Sequence, residues 1–272
     1  MLLLVYSHVL AFSVLFINSL FDVFNNHDVP DLFGIIGIIG GILFHAGYAY
    51  NIGSMNPLIW CLGVGGIFSA YGWIAYWKGM WGGADAMMLS ALGFMVPGPV
   101  SGSFNIVYVL DLITNFMIAA VAVTIIYSVY KFWDQNGKPR DLLDAIKQDE
   151  KKLSLLVLVG GVLGFILNTQ GSNGLMFFSI VLVFTFLYEF MKLVEDNYMV
   201  KTRSADEVEI GEVPSPNQGF GNKIRGLKED EVERIDDELE VRTGVPFVPV
   251  FLFAVLLTDL TSLGIWILYS FY

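Results

Sequence analysis

The sequence predicts an all-α, polytopic membrane protein, and three observations lead there. Of 272 residues, 55% are hydrophobic and only 15% are charged, with a mean hydropathy of +0.63; a soluble domain carries about 25% charged residues. Apolar runs recur along the chain, most of them near the roughly 20 residues that a helix needs to cross hydrocarbon. The basic residues are confined to a few connections between those runs. A net charge of -11 argues against nucleic acid, because phosphate binding needs clustered Lys and Arg. The single cysteine, Cys61, sits in an apolar run and reads as a buried thiol; it excludes a disulfide framework and a four-thiolate zinc site.

The first span covers residues 2–21. It lacks a basic leading region and a small-residue cleavage site, so it reads as a retained helix rather than a signal peptide. Spans at 32–50 and 57–77 follow, then a short one at 85–97 that stops at Pro97-Gly98-Pro99. Further spans fall at 105–130, 153–168, 174–192 and 247–271, making about eight, within a range of six to eight. With the N-terminus outside, the inner connections are 22–31, 78–84, 131–152 and 193–246. All 15 Lys and Arg lie in or border these, while the outer connections 51–56, 98–104 and 169–173 have none. Positive residues favour the inner side, so the segregation supports both the orientation and the short fourth span.

The chain therefore divides into a membrane-embedded core (1–130), an inner connection (131–152), a further hairpin (153–192), an acidic loop (193–246) and a last helix (247–272). Within the loop, Leu227, Val232, Ile235, Leu239 and Val241 form a rough helical stripe among acids, which predicts a short solvated helix. Its acidity also suits a basic partner.

Five acids lie in or at the ends of spans: Asp22, Asp85, Asp111, Glu189 and Asp259. Glu189 is close enough to the inner end to reach water, and Asp111 is close to the outer end. Asp259, in mid-span, should be neutral or hydrogen-bonded, as a structural group or part of a proton path. Asp22 ends the first span and Asp85 begins the fourth, so topology gives them one depth on one face. Two carboxylates brought close share a proton, leaving one to act as general base on water and the other to donate. Gly82 and Gly83, just before Asp85, either allow another backbone to approach or make a tight turn. Around the first aspartate, Asn25, Asn26, His27, Asp28 and Asp31 invite a metal, but no second His is near, and no metal is expected.

An Asp ending the first span, Gly82-Gly83-Ala84-Asp85 entering the fourth and a last span opening Gly-Val-Pro-Phe-Val-Pro resemble the archaeal prepilin and preflagellin peptidases. These belong with the type IV prepilin peptidases among aspartyl proteases of the Gly-x-Gly-Asp type, and Ala84 fits the looser archaeal motif. The likeness is best over residues 1–97 and about 222–262. It implies removal of short basic leaders from archaellin or pilin precursors at the cytoplasmic face, without a cofactor and without N-methylation. By matching position, Asp22 and Asp85 are the catalytic pair, Gly82, Gly83 and Ala84 shape the site, and Pro246, Phe247 and Pro249 lie close to substrate. Localisation in the cytoplasmic membrane, in contact with lipid, follows from the same likeness, and self-association stays open. The chain departs from the family in a longer Asp22 segment, in the hairpin 153–192 and in lacking bacterial cysteine pairs. Two other readings are a presenilin-like intramembrane protease, and a proton-coupled transporter using Asp22, Asp85 and Asp259.

Overall fold

Each predicted span forms a helix. The computed structural model describes residues 2–24, 29–78, 81–99, 101–102, 104–148, 150–169, 174–208, 212–215, 227, 229–235, 238–242 and 244–270. The helices are α1 (Leu2–Phe24), α2 (Asp31–Ile52), α3 (Asn56–Trp77), α4 (Gly83–Met95), α5 (Ile106–Asp134), α6 (Pro139–Gln148), α7 (Glu150–Thr169), α8 (Gly174–Tyr198), α9 (Glu229–Val232) and α10 (Val248–Ser270). Among the described residues, four helices are long and apolar enough to cross a membrane: α1, α2, α3 and α5. Shorter apolar stretches are α4 itself, Val157–Ile166 within α7 and Val248–Thr261 within α10. The protein is thus a mostly helical membrane protein.

The chain forms two compact units, one of residues 1–123, 219–226 and 244–272, the other of 124–218 and 227–243. In the first unit α1, α2, α3 and α10 all pack on α4. Its thirteen residues cover only about 20 Å, against roughly 30 Å of hydrocarbon. Ala86, Met88, Leu89, Ala91, Leu92 and Met95 are all buried, on every side of the helix, as in a helix enclosed by others. Glycines let its neighbours come close. A Cβ on Gly41 of α2 would lie 2.5 Å from the Phe94 carbonyl oxygen, and one on Gly93 would lie 2.9 Å from the Gly65 Cα of α3. The last carbonyls of a helix have no partner within it. In α4 the Ser7 hydroxyl donates to the Met95 carbonyl at 2.6 Å, and the Cys61 thiol to that of Phe94 at 3.3 Å. The buried thiol has found an acceptor at a helix end.

The second unit contains the end of α5, α6–α9 and a three-stranded antiparallel sheet ordered β1-β3-β2, made of Val200–Arg203, Leu239–Arg242 and Val213–Pro214. Here the sequence reading needs correction. The acidic stripe does not continue as a helix: α9 stops at Val232, and Leu239–Arg242 is the central strand. Leu239 and Val241 point the same way by the two-residue period of a strand, and both are buried. Glu189 is a second correction. It is 2% exposed, buried in α8 rather than reaching water.

Candidate active site

Asp22 lies two residues from the end of α1 and is 5% exposed. Its Oδ2 accepts the backbone N–H of Val248 at 2.8 Å. The bond has a local cause. Val248 is the first residue of α10, and the first N–H groups of a helix lack partners within it. Pro249 has no N–H at all, so Val248 presents the outermost donor, and the positive end of the helix dipole favours a carboxylate. The Phe247 carbonyl in turn accepts from the Val250 N–H at 3.0 Å, closing the first turn.

Asp85 sits in the first turn of α4, half-buried. Its Oδ2 accepts the Gly82 N–H at 3.1 Å, the backward reach by which an acid at the third helical position covers an open donor. Gly82 has φ -72, an ordinary value for any residue. A Cβ there would come within 3.3 Å of the Asp85 carboxylate, whereas one on Gly83 would meet only the Tyr76 ring, at 3.7 Å. Gly82 keeps space for the carboxylate of its own helix. Ala84 packs, partly buried, against the hydrophobic core.

Both aspartate-bearing segments touch the start of α10. Trp81, immediately before the glycines, packs its ring on Phe247 with centroids 5.8 Å apart, next to the residue that donates to Asp22. Phe116 of α5 and Phe251 of α10 complete the aromatic cluster, each 5.9 Å from Phe247. Pro246 is buried and Pro249 half-buried on either side. Residues 247–248 therefore join the end of α1 to the beginning of α4. Chemically this is a pair of carboxylate segments beside a short, proline-flanked stretch of backbone, at the rim of an apolar bundle.

Sequence reasoning did not single out Trp81 or the Val248 N–H. The first carries no periodic signal, and the second is a main-chain group of an apolar residue. Asp111 is exposed, and Asp259 lies farther along α10. His27 and Asp28, considered for a metal, lie outside the described residues, as do Asn25 and Asn26. Among the described residues no three His, Cys, Asp or Glu side chains are grouped to hold a metal ion. Comparisons with protein-family models, with curated proteins and with solved structures found no match.

Proposed function

We propose that this membrane protein is an aspartyl endopeptidase that uses Asp22 and Asp85 to remove short basic leaders from archaellin or type IV pilin-like precursors. The observation that carries the reading is the convergence on residues 247–248, with the Asp22 carboxylate on the Val248 N–H and Trp81 on the Phe247 ring. A protease of this kind needs two carboxylates and a segment of chain that can lie against an extended substrate. Pro246 and Pro249 suit the second role, because their missing N–H groups and fixed φ keep the stretch from being absorbed into a longer helix.

In the reaction one carboxylate, ionised, takes a proton from water as that water attacks the scissile carbonyl. The other, protonated, donates to the carbonyl oxygen; as the tetrahedral intermediate collapses, the first passes the water's proton to the leaving nitrogen and the second recovers its own from the hydroxyl. Hydrolysis requires water and an unpaired peptide bond, both scarce in hydrocarbon, so the site belongs at a membrane face. The segregation of all 15 Lys and Arg to one set of connections supports eight spans, an outer N-terminus and a cytoplasmic site. The acidic loop 193–246 would attract basic leaders.

The test is cleavage of a pilin precursor in membranes carrying Asp22→Asn or Asp85→Asn. Each change is expected to cut the rate by at least about 100-fold, the usual worth of a positioned acid or base, while the protein still accumulates. Normal cutting by either variant overturns the assignment.

A further inference from the structure

Beside the two carboxylate segments lies a cluster of aromatic rings centred on Trp81, which precedes Asp85 by four residues. The Tyr71 ring of α3 meets Trp81 edge-on at 5.5 Å. Phe116 of α5 and Phe247 lie tilted against it at 6.2 Å and 5.8 Å. Phe116 in turn stacks on Phe251 of α10, with centroids 5.3 Å apart and planes inclined by 25°. Exposure is graded across these rings. Phe251 is fully buried, Phe116, Phe247 and Trp81 are half-buried, and Tyr71 is 57% exposed. They form an apolar wall that runs from the core of the first unit out to the surface.

Two structural uses of Trp81 leave its contacts unexplained. A Trp at a membrane boundary commonly anchors a helix by lying at headgroup level. Trp77, the last residue of α3, suits that use at 76% exposed, whereas Trp81 is turned against the bundle. An apolar residue just ahead of a helix can also staple it, by packing on the fourth helical position. The ring partners of Trp81 lie on α3, on α5 and at the start of α10, so a staple within α4 does not account for them. Its polar edge is also unused. An indole N–H is a donor only, and a buried one ordinarily has a partner. That of Trp81 makes no hydrogen bond among the described residues. The main-chain donors of Gly82 and Val248 are already taken, by Asp85 and Asp22.

A large apolar face and one open donor, next to both carboxylate segments, are what an extended substrate needs. We propose that Trp81 is a specificity-determining residue. Its face, with Phe116 and Phe247, receives a large apolar side chain directly after the scissile bond. Its indole N–H donates to a main-chain carbonyl of the same segment. Resting on the peptidase reading, this role names the side chain that selects the substrate. The side of the bond follows from charge. The leader is basic, and a Lys or Arg seated on a wall continuous with the core would lose its water. The apolar residue therefore belongs to the part of the precursor that is kept. Selection and cleavage then share one short stretch of chain, since Trp81 stands at the entry to α4 and Asp85 in its first turn.

The test uses the full chain in lipid nanodiscs and pilin-like precursors with Phe, Leu, Ala, Ser or Lys directly after the scissile bond. The wild type is expected to favour Phe and Leu over Ala and Ser by roughly 10- to 100-fold in kcat/KM, the range open to an apolar pocket. Trp81→Ala should shrink that ratio about tenfold. A ratio within one variant does not depend on how much of it folds. Trp81→Phe keeps an apolar face and loses the N–H, so it should hold the preference while KM rises about fivefold for every substrate. Equal cutting of all precursors by the wild type, or a preference that survives in Trp81→Ala, overturns the subsite. Unchanged KM in Trp81→Phe overturns the hydrogen bond, and a wild-type preference for Lys overturns the apolar side chain in favour of a cation on the rings. A second measurement needs no Trp81 variant. A precursor with benzoyl-phenylalanine directly after the scissile bond is bound to Asp85→Asn and irradiated. Crosslinks are expected on Trp81, Phe116 or Phe247, and crosslinks confined to other residues overturn the subsite. Failure of the peptidase reading looks different, because the wild type then cuts none of the precursors.

Discussion

The two compact units are held together by different physics. In the first, backbones touch: glycines of α2 and α3 lie against the main chain of α4, and Ser7 and Asp22 make buried hydrogen bonds between helices. In the second, the contacts include ion pairs at the surface, where Arg242 of β3 reaches Glu195 at 2.8 Å and Asp196 at 3.1 Å, and Tyr198 donates to Asp141 at 2.6 Å. The difference follows from the solvent. Helices in lipid gain nothing by hiding apolar surface from hydrocarbon, so they associate by close packing and internal hydrogen bonds. Segments exposed to water can use charge, but each exposed pair contributes little.

This contrast predicts a ranking of effects. Gly41→Ala should be the most damaging, because the new Cβ would meet the Phe94 carbonyl oxygen at 2.5 Å and backbone cannot turn aside. Overpacking of this kind costs about 1–3 kcal/mol. It should show as a lower melting temperature in detergent, and an unchanged melt would break the claim that backbone contact holds this unit. Next comes a pair of changes that separates function from stability. Gly82→Ala would press on the Asp85 carboxylate and should slow precursor cleavage roughly tenfold, since small misplacements of reacting groups are costly. Gly83→Ala meets only ordinary contact and should cut at near the wild-type rate. Equal rates for the two would mean that Asp85 is not positioned by its glycine.

The smallest effect is expected in the second unit. The Tyr198 hydroxyl, followed by the Lys138 backbone N–H, holds the Asp141 carboxyl below the usual carboxylate range. A lowered folded-state value stabilises the fold above the ordinary carboxyl range near about pH 4, and the contribution is lost as pH falls through the lowered value. Tyr198→Phe should therefore flatten the loss of melting temperature between about pH 4 and pH 2. A wild-type slope that survives the substitution would sever Asp141 from stability.

The helices were legible in the sequence because each is a long apolar run, and their ends carry plain signals. Pro30 precedes α2, and Gly53, at φ 65, closes it. The strand Leu239–Arg242 was misread because two buried residues with one between them fit a helical stripe nearly as well over so few positions. Glu189 was misjudged for a different reason. Distance along a helix gives depth but not which side faces the bundle. For the candidate site, charge segregation set Asp22 and Asp85 apart from the other acids, but the main-chain donor that engages Asp22 comes from a residue 226 positions away. Pairings over that separation leave no trace in local pattern.

Cys61 carries a practical consequence. It is the chain's single thiol, and it is fully buried with its hydrogen directed at the end of α4. A thiol reagent therefore has one target, and that target is hidden until α3 parts from α4. The rate of labelling is a built-in clock for the opening of the seam between α3 and α4, with no engineered probe and no competing signal.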